Sequence, residues 1–302
     1  MEANPGNEEY QGESGRTRAA APRGPFAALP GRLTFTVDVE DDGTGVARAA
    51  EMTARLLDLL EESQARATFF IVGTFAEAAP ALVRAIAARG HEVASHGHHH
   101  RALVEDGPER LFHDLVRTRS LLEDLAGARV AGFRAPMFSL TAETPWAGDV
   151  LAEAGFAYSS SVLPARNWLH GWPGAPRRPF LWSSGVLEIP VPVVRLGPYE
   201  LPVLGGMYLR YIPGWDLRRM ARRLAAERPD SLWTYCHPYD LDTEAPFTRR
   251  PEAGLIGSLF LWMNRGVMAG RLRAILEGRD SVPFAERIAP LRDGAAVFAP
   301  PG

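Results

Sequence analysis

Short apolar runs alternate with amphipathic segments from residue 33 to residue 236, and few folds accommodate that alternation in a chain of 302 residues. The run LTFTVDVE at 33–40 carries Leu33, Phe35, Val37 and Val39 on one face. Thr34, Thr36, Asp38 and Glu40 fall on the other, because strand side chains alternate at period two. Residues 46–65 follow with apolar side chains at helical spacing, then a strand at 67–73 and a helix at 75–89 stopped by Gly90. A strand at 91–95, a helix at 108–126, a strand at 130–133, a helix near 145–154 and the short strand FAYSS continue the series. A helix at 215–227 and the strand SLWTYC at 231–236 resume it. Repeated β-α-β units predict parallel strands with helices packed outside them. The polar inward face of the first strand suits a barrel whose chemistry lies at the C-terminal ends of its strands.

The remaining stretches set the domain limits. Residues 1–31 are rich in Gly, Pro, Glu and Ala without apolar periodicity, which predicts a disordered leader. One domain is expected over 32–290, with a loop-rich insertion at about 165–210 that holds short strands such as VLEIPV, and a flexible tail at 291–302. After Asp240 a loop and one or two peripheral helices are expected. The start lacks the basic and apolar stretches of a secretory signal, and no run of about 18 uncharged apolar residues occurs, so no transmembrane segment and a cytoplasmic location are expected. The nearest apolar run, Leu255 to Met263, is short and followed by Asn264 and Arg265. With a net charge of −3, no basic field is expected to hold nucleic acid or an anionic membrane surface. The single cysteine, Cys236, excludes a disulfide framework and a Cys-rich zinc module. All 33 basic residues are arginine, which excludes Schiff-base chemistry, a phosphate-loop lysine and a lysine base.

Chemistry-bearing residues gather at the predicted strand ends. His96, His98, His99 and His100 follow a strand in ASHGHHHRAL. On a helical turn His96 and His100 share a face, so both can ligate one ion, while His98 and His99 read as bystanders. Asp38, Glu40, Asp41 and Asp42 cluster at the end of the first strand. Asp38 and Glu40 share its inward face, so one can ligate a metal while the other acts as base. Acidic runs are usually solvated, but Asp38 lies inside an apolar strand, where an unpaired carboxylate costs roughly 3–5 kcal/mol. Arg134 in GFRAP ends another strand, with Pro136 stiffening the turn, and a guanidinium there can grip and orient a carboxylate; the alternative is a surface arginine. His237 ends the strand SLWTYC, at the same rim, as a candidate acid. Cys236 beside it points to the opposite face and reads as packing.

Taken in order, TVDVED, ATFFIVG, GHEVASHGHHH, GFRAP and YCHPYD resemble the polysaccharide deacetylases of the NodB-homology type, carbohydrate esterase family 4, over Leu33 to Asp240, some two thirds of the chain. DVED, the YSSS-VLP stretch and HPYDLD further resemble the subgroup associated with bacterial exopolysaccharide loci, and DVE-x-x-G-T is similar to deformylases of lipid-linked aminosugars. The resemblance implies an α/β fold, a deformed (β/α) barrel of about seven parallel strands. It implies removal of an N-acetyl or N-formyl group from an amino-sugar or glycan substrate with a divalent metal, zinc first. Carried over by position, Asp38 is the general base, His96 and His100 are metal ligands, Arg134 orients Asp38, and His237 is the general acid. Pro136 and Tyr239, in the same motifs, are expected to contact substrate. Val39 separates the two carboxylates that are adjacent in the family, leaving Glu40 or Asp41 as metal ligand, and alternation favours Glu40. Ser159-Ser160-Ser161-Val162-Leu163 stands where the family carries a carboxylate that tunes the acid histidine and a tryptophan. Trp168, Trp172 and Trp182 read equally as sugar-stacking or as packing aromatics. Three rival readings stay open: a metal-independent amidohydrolase of the same fold acting on a cyclic amide or ureide, a catalytically degraded carbohydrate-binding relative, and Fe(II) held by two histidines and a carboxylate.

Overall fold

The computed structural model describes residues 24–167, 170–250 and 253–300. β1 (Arg32–Val39) leads into α1 (Val46–Glu62), β2 (Ala67–Ile71), α2 (Gly73–Ala78), α3 (Pro80–Ala88), β3 (Glu92–Ser95) and α4 (Leu103–Ala126). β4 (Gly132–Phe133), α5 (Ala147–Glu153) and β5 (Tyr158–Ser159) complete the alternating half. β6 (Phe180–Leu181), β7 (Leu187–Glu188), β8 (Val194–Leu196) and β9 (Tyr199–Leu201) occupy the loop-rich stretch, before α6 (Gly206–Tyr211), α7 (Gly214–Glu227) and β10 (Trp233–Cys236). α8 (Gly254–Trp262), α9 (Met268–Leu276), β11 (Asp280–Ser281), α10 (Ile288–Arg292) and β12 (Ala296–Val297) finish the chain.

Seven strands run parallel in the order β10-β1-β2-β3-β4-β5-β7. β6 lies antiparallel on β7, β12 extends the sheet beyond β6, and β11 pairs with the start of β1. No ladder among the described residues joins β7 to β10. That gap is spanned by the Trp233 indole, which donates to the Pro190 carbonyl at 3.1 Å, and by a single bridge between Gly205 and Tyr235. The barrel is therefore deformed and open at one seam. A Cβ at Gly205 would collide with the Tyr235 ring, so the seam needs glycine at that approach.

Alternation along β1 sorts its side chains between two interiors. Phe35, Val37 and Val39 pack outward with Leu56, Leu60 and Phe69 beneath the helices. The inward Thr34, Thr36 and Asp38 are also buried, and the lumen around them is filled by Phe70, Tyr158, Trp233 and Phe284. Two arginines cross this lumen. Arg287 donates to Thr34 Oγ1 at 3.2 Å near the strand starts, and Arg134 donates to Thr36 Oγ1 at 2.9 Å near their ends.

Several boundaries differ from the sequence reading, for local reasons. The single helix expected at 75–89 breaks at Pro80, which lacks an N–H and opens α3 instead. The helix expected over 108–126 does start at Pro108: α4 is a short helical stretch from Leu103 and this longer helix, joined at the non-helical Gly107 (φ 73°). Of the stretch expected to be a leader, residues 1–23 lie outside the described residues, whereas Phe26 and Leu29 are buried in the core. The end expected to be a flexible tail instead returns to the sheet: Phe298 N–H donates to Leu181 O at 2.8 Å, and its ring packs on Trp172, Phe180 and Trp182. Trp172 and Trp182 are buried there as packing aromatics, and Trp168 lies outside the described residues.

His91, just before β3, gives the fold a pH dependence. Its Nδ1 accepts the Ala67 N–H at 3.2 Å. Burial, with Arg89 and Arg66 nearby, pushes the imidazole down to about 4. Protonation would turn that acceptor into a second donor facing the Ala67 N–H. The unfolded chain therefore binds the proton first, and stability falls as pH drops from 6.5 towards 4, by up to roughly 3 kcal/mol. His91→Gln should flatten the pH dependence of the urea midpoint across this window; an unchanged slope would assign the effect elsewhere.

Candidate active site

Each candidate side chain sits at or just past the C-terminal end of a parallel strand. Asp38 is the penultimate residue of β1 and Glu40 follows it; His96 follows β3, Arg134 follows β4 and His237 follows β10. Ligands of α/β sheets bind at these strand ends, where the chain turns outward and exposes the side chains of neighbouring strands to one space. Here that space is a cavity of about 440 Å³ whose walls include Asp38, Glu40, His96, His100, His237 and Tyr239.

Arg134 is fully buried and the most heavily bonded side chain of the site. Its Nη1 donates to Asp38 Oδ1 at 2.6 Å as well as to Thr36, its Nη2 to Ser160 Oγ at 3.1 Å, and its Nε to the Ser160 carbonyl at 3.1 Å. The guanidinium also lies over the Phe70 ring at 4.0 Å and the Trp233 ring at 4.5 Å. One plane is thus fixed by a carboxylate, two hydroxyls, a carbonyl and two aromatic faces, and it fixes Asp38 in turn.

Glu40, His96 and His100 each offer a ligand atom, all within 4.8 Å of one another. His96 Nε2 lies 3.9 Å from Glu40 Oε2, and His100 Nε2 is hydrogen-bonded to the same oxygen. The chain reaches this geometry by a turn with left-handed Gly97 (φ 74°) and His100 (φ 53°), rather than by the helical turn that the spacing suggested. His96 Nδ1 donates to the Arg134 carbonyl at 2.8 Å, which leaves Nε2 with its lone pair facing the cluster. Burial, against the opposing pull of Asp38, pushes His96 down to about 4 and keeps it neutral, the form that binds metal. Burial also acts on Glu40, but the neighbouring His100 outweighs it and holds the carboxyl well below the usual range. Burial lowers His100, but the Glu40 charge outweighs it and raises the imidazole above its ordinary range, so a cation bound here would take the place of the His100 proton. Two histidine nitrogens and one carboxylate on a concave wall fit a divalent cation with positions left open. Asp41 instead accepts the N–H groups of Gly43 and Gly45 at 2.9 Å, at the start of α1, and Asp42 pairs with Arg250 at 3.2 Å. His98 turns away to Thr118 at 3.1 Å, and His99 packs edge-on against it.

His237 carries its own carboxylate partner. Its Nδ1 lies 3.2 Å from Asp240 Oδ2, which also accepts the His237 N–H at 2.9 Å. Asp240 is buried, and Arg210 Nε, itself buried, stands 3.4 Å from its other oxygen. Burial alone would depress His237, but the bond to Asp240 and its charge outweigh that and raise it above the ordinary histidine range. The Ser159–Ser161 stretch, which lacks a carboxylate, does different work: Ser160 holds Arg134, Ser161 Oγ accepts the Ala135 N–H at 2.8 Å, and Glu188 accepts the Ser161 and Val162 N–H groups at 2.7 and 2.9 Å. Sequence reading missed Asp240, Arg210, Ser160 and Glu188. Only Asp240 left a signal, a carboxylate three residues after the histidine in HPYD.

The expected substrate contacts divide. Tyr239 stacks on His237 with centroids 4.6 Å apart and lines the cavity. Pro136 is buried against the Gly97 turn, and the wall there is formed instead by its successors Met137 and Phe138. Cys236 is buried, and burial pushes its thiol far up, out of nucleophilic range.

Known proteins resemble the chain in sequence over part of its length and in fold. Residues 33–159 match the family described as Polysaccharide deacetylase, and residues 160–288 match the Domain of unknown function DUF3473. Over 113 residues the chain is 32% identical to a peptidoglycan-N-acetylglucosamine deacetylase of Bacillus cereus, covering 37% of this chain and 38% of that protein. Over 151 residues it is 32% identical to a chitooligosaccharide deacetylase of Sinorhizobium fredii, covering 49% of this chain and 63% of that protein. The chain thus spans less than two thirds of either relative. A crystal structure of a Mycobacterium smegmatis protein named after the polysaccharide deacetylases superposes with a TM-score of 0.61 at 22% identity, covering 94% of this chain and 99% of that one. Residues 33–159, which carry Asp38, Glu40, His96, His100 and Arg134, are thus similar to the polysaccharide deacetylase family, whereas His237 lies in the stretch matched by the second family model, and the chain shares the fold of the Mycobacterium smegmatis protein.

Proposed function

We propose that the protein is a metal-dependent amide hydrolase that removes an N-acetyl, or N-formyl, group from an amino sugar. The observation that carries this reading is the meeting of a His-His-Glu cluster, an arginine-pinned aspartate and an aspartate-paired histidine in one cavity. The relatives named above, deacetylases of peptidoglycan N-acetylglucosamine and of chitooligosaccharide, support an amino-sugar substrate.

Glu40, His96 and His100 would hold the cation, with zinc the ion this donor set suits best. Bound there, zinc supplies a polarised amide carbonyl and a water whose pKa is lowered towards about 7. Asp38, held by Arg134, takes the proton of the attacking water. His237, whose proton affinity Asp240 raises, gives its proton to the departing amine nitrogen as the C–N bond breaks, so acetate and a free amino sugar result. Tyr239 and Phe138 supply apolar wall against which a sugar ring packs.

Acetate release from N-acetylated chito-oligosaccharides tests this directly. Release should fall to background with EDTA and return when zinc is restored. Release that survives in metal-free protein overturns the metal assignment and favours a metal-independent amidohydrolase; no release despite stoichiometric zinc redirects the search to other acylated amines.

A further inference from the structure

α8 is nine residues long and apolar on every side, GLIGSLFLW, yet it is not buried. Ser258 is its one buried residue. Leu255 and Ile256 are 55% and 72% exposed, and Leu259, Phe260, Trp262 and Met263 are exposed beside them. A helix that is hydrophobic all round is normally either core or in contact with lipid. At about 1.5 Å per residue it is less than half the length needed to cross a bilayer, so it can lie on one but not span it. No helix of the described residues is long and apolar enough to cross a membrane.

Charge around α8 differs from that of the chain as a whole. Residues 206–279 carry twelve arginines against eight acidic residues, although the whole chain carries 33 basic against 36 acidic. The net charge of −3 alone therefore does not exclude a local basic surface, contrary to the expectation from composition, although Arg210, Arg228, Arg265 and Arg279 among the twelve are buried and do not contribute to it. Arg249, just ahead of α8, is exposed. Tyr211 Oη donates to the Phe260 carbonyl at 2.8 Å, tying α8 to the junction that leads into α7. One turn on, Trp215 is 72% exposed, and Arg218, Arg219 and Arg222 follow it on the same helix face, exposed and with no ion pair among the described residues. Exposed apolar and aromatic side chains on α8 and at Trp215, accompanied by the exposed Arg218, Arg219, Arg222 and Arg249, match the polarity of an anionic bilayer surface. A second copy of the chain is a poorer occupant, because a two-fold contact would set the same arginines against one another.

We infer that α8 and the start of α7 form an interfacial membrane-binding face for anionic lipid. Leu261, on α8, lines the catalytic cavity, so this face would bring the cavity mouth to the lipid surface. The inference stands apart from the proposed reaction. Co-sedimentation of the full chain with vesicles of phosphatidylcholine and 30% phosphatidylglycerol tests it, beside pure phosphatidylcholine. Binding should require the anionic lipid and weaken with salt. Leu255→Glu with Ile256→Glu should reduce it at least about tenfold, and Arg218→Gln with Arg222→Gln should reduce it while leaving acetate release from soluble chito-oligosaccharides and the melting temperature unchanged. Absence of binding to both vesicle types overturns the inference. So does equal binding of the Glu variant, and a concentration-dependent dimer that the same variant abolishes would give the face to a second copy.

Discussion

Asp38→Asn should lower the turnover of N-acetyl hydrolysis at least about 10²-fold and leave bound zinc at the parent stoichiometry. Asparagine has nearly the shape of aspartate and can still accept the Arg134 Nη1–H that now ends on Asp38 Oδ1. What it cannot do is take a proton from water. Asp38 is not one of the three residues whose ligand atoms converge, so metal content should be insensitive to the change. His96→Ala should show the opposite pattern, losing metal and turnover together. Elemental analysis beside the steady-state rate separates the two roles. Turnover in Asp38→Asn within threefold of the parent would sink the assignment of Asp38 as base.

Arg134→Met should melt about 10 °C below the parent. The substitution keeps most of the stem volume between Phe70 and Trp233 but removes the only cation that pairs with Asp38 among the described residues. It also strips partners from Thr36 Oγ1, Ser160 Oγ and the Ser160 carbonyl, all buried. Breaking one side of a buried pair costs about 3–5 kcal/mol, whereas replacing both sides with apolar groups is often near neutral. Arg134→Met combined with Asp38→Leu should therefore recover much of the lost stability, although it cannot recover activity. A cycle of the two single variants and the double reads the coupling. If Arg134→Met melts within 2 °C of the parent, the pair is not what holds the lumen.

The parts of this site legible in the sequence are those governed by short-range rules. Period-two alternation set Asp38 and Glu40 on the inward face of β1, and strand ends announced by their flanking motifs located His96, Arg134 and His237. What escaped depends on chain segments far apart in sequence. Arg210 reaches Asp240 from another helix, and nothing in HPYD says that its aspartate is buried and charge-paired. Ser160 looked like the loss of a motif carboxylate, yet it holds Arg134 through two bonds from the next strand. The His96–His100 pairing was legible while its geometry was not, because a left-handed backbone at His100 has no sequence signature once glycine is absent. The C-terminal stretch was read as loose because three or four apolar residues carry no periodicity; its place in the sheet comes from aromatic partners more than a hundred residues earlier.

The position of Arg134 also bears on how such a chain can drift over generations. Its bonds run to β1 on one side and to the segment after β5 on the other, so the group that aims the base also clamps the staves of the barrel. Selection for folding and selection for turnover then act on the same side chain. A descendant that abandons catalysis gains nothing by changing Asp38 alone, since it would inherit a stranded cation. Decay by this route has to be paired, with positions 38 and 134 turning apolar together, and a lineage that has lost the reaction can keep both charges for the sake of folding alone.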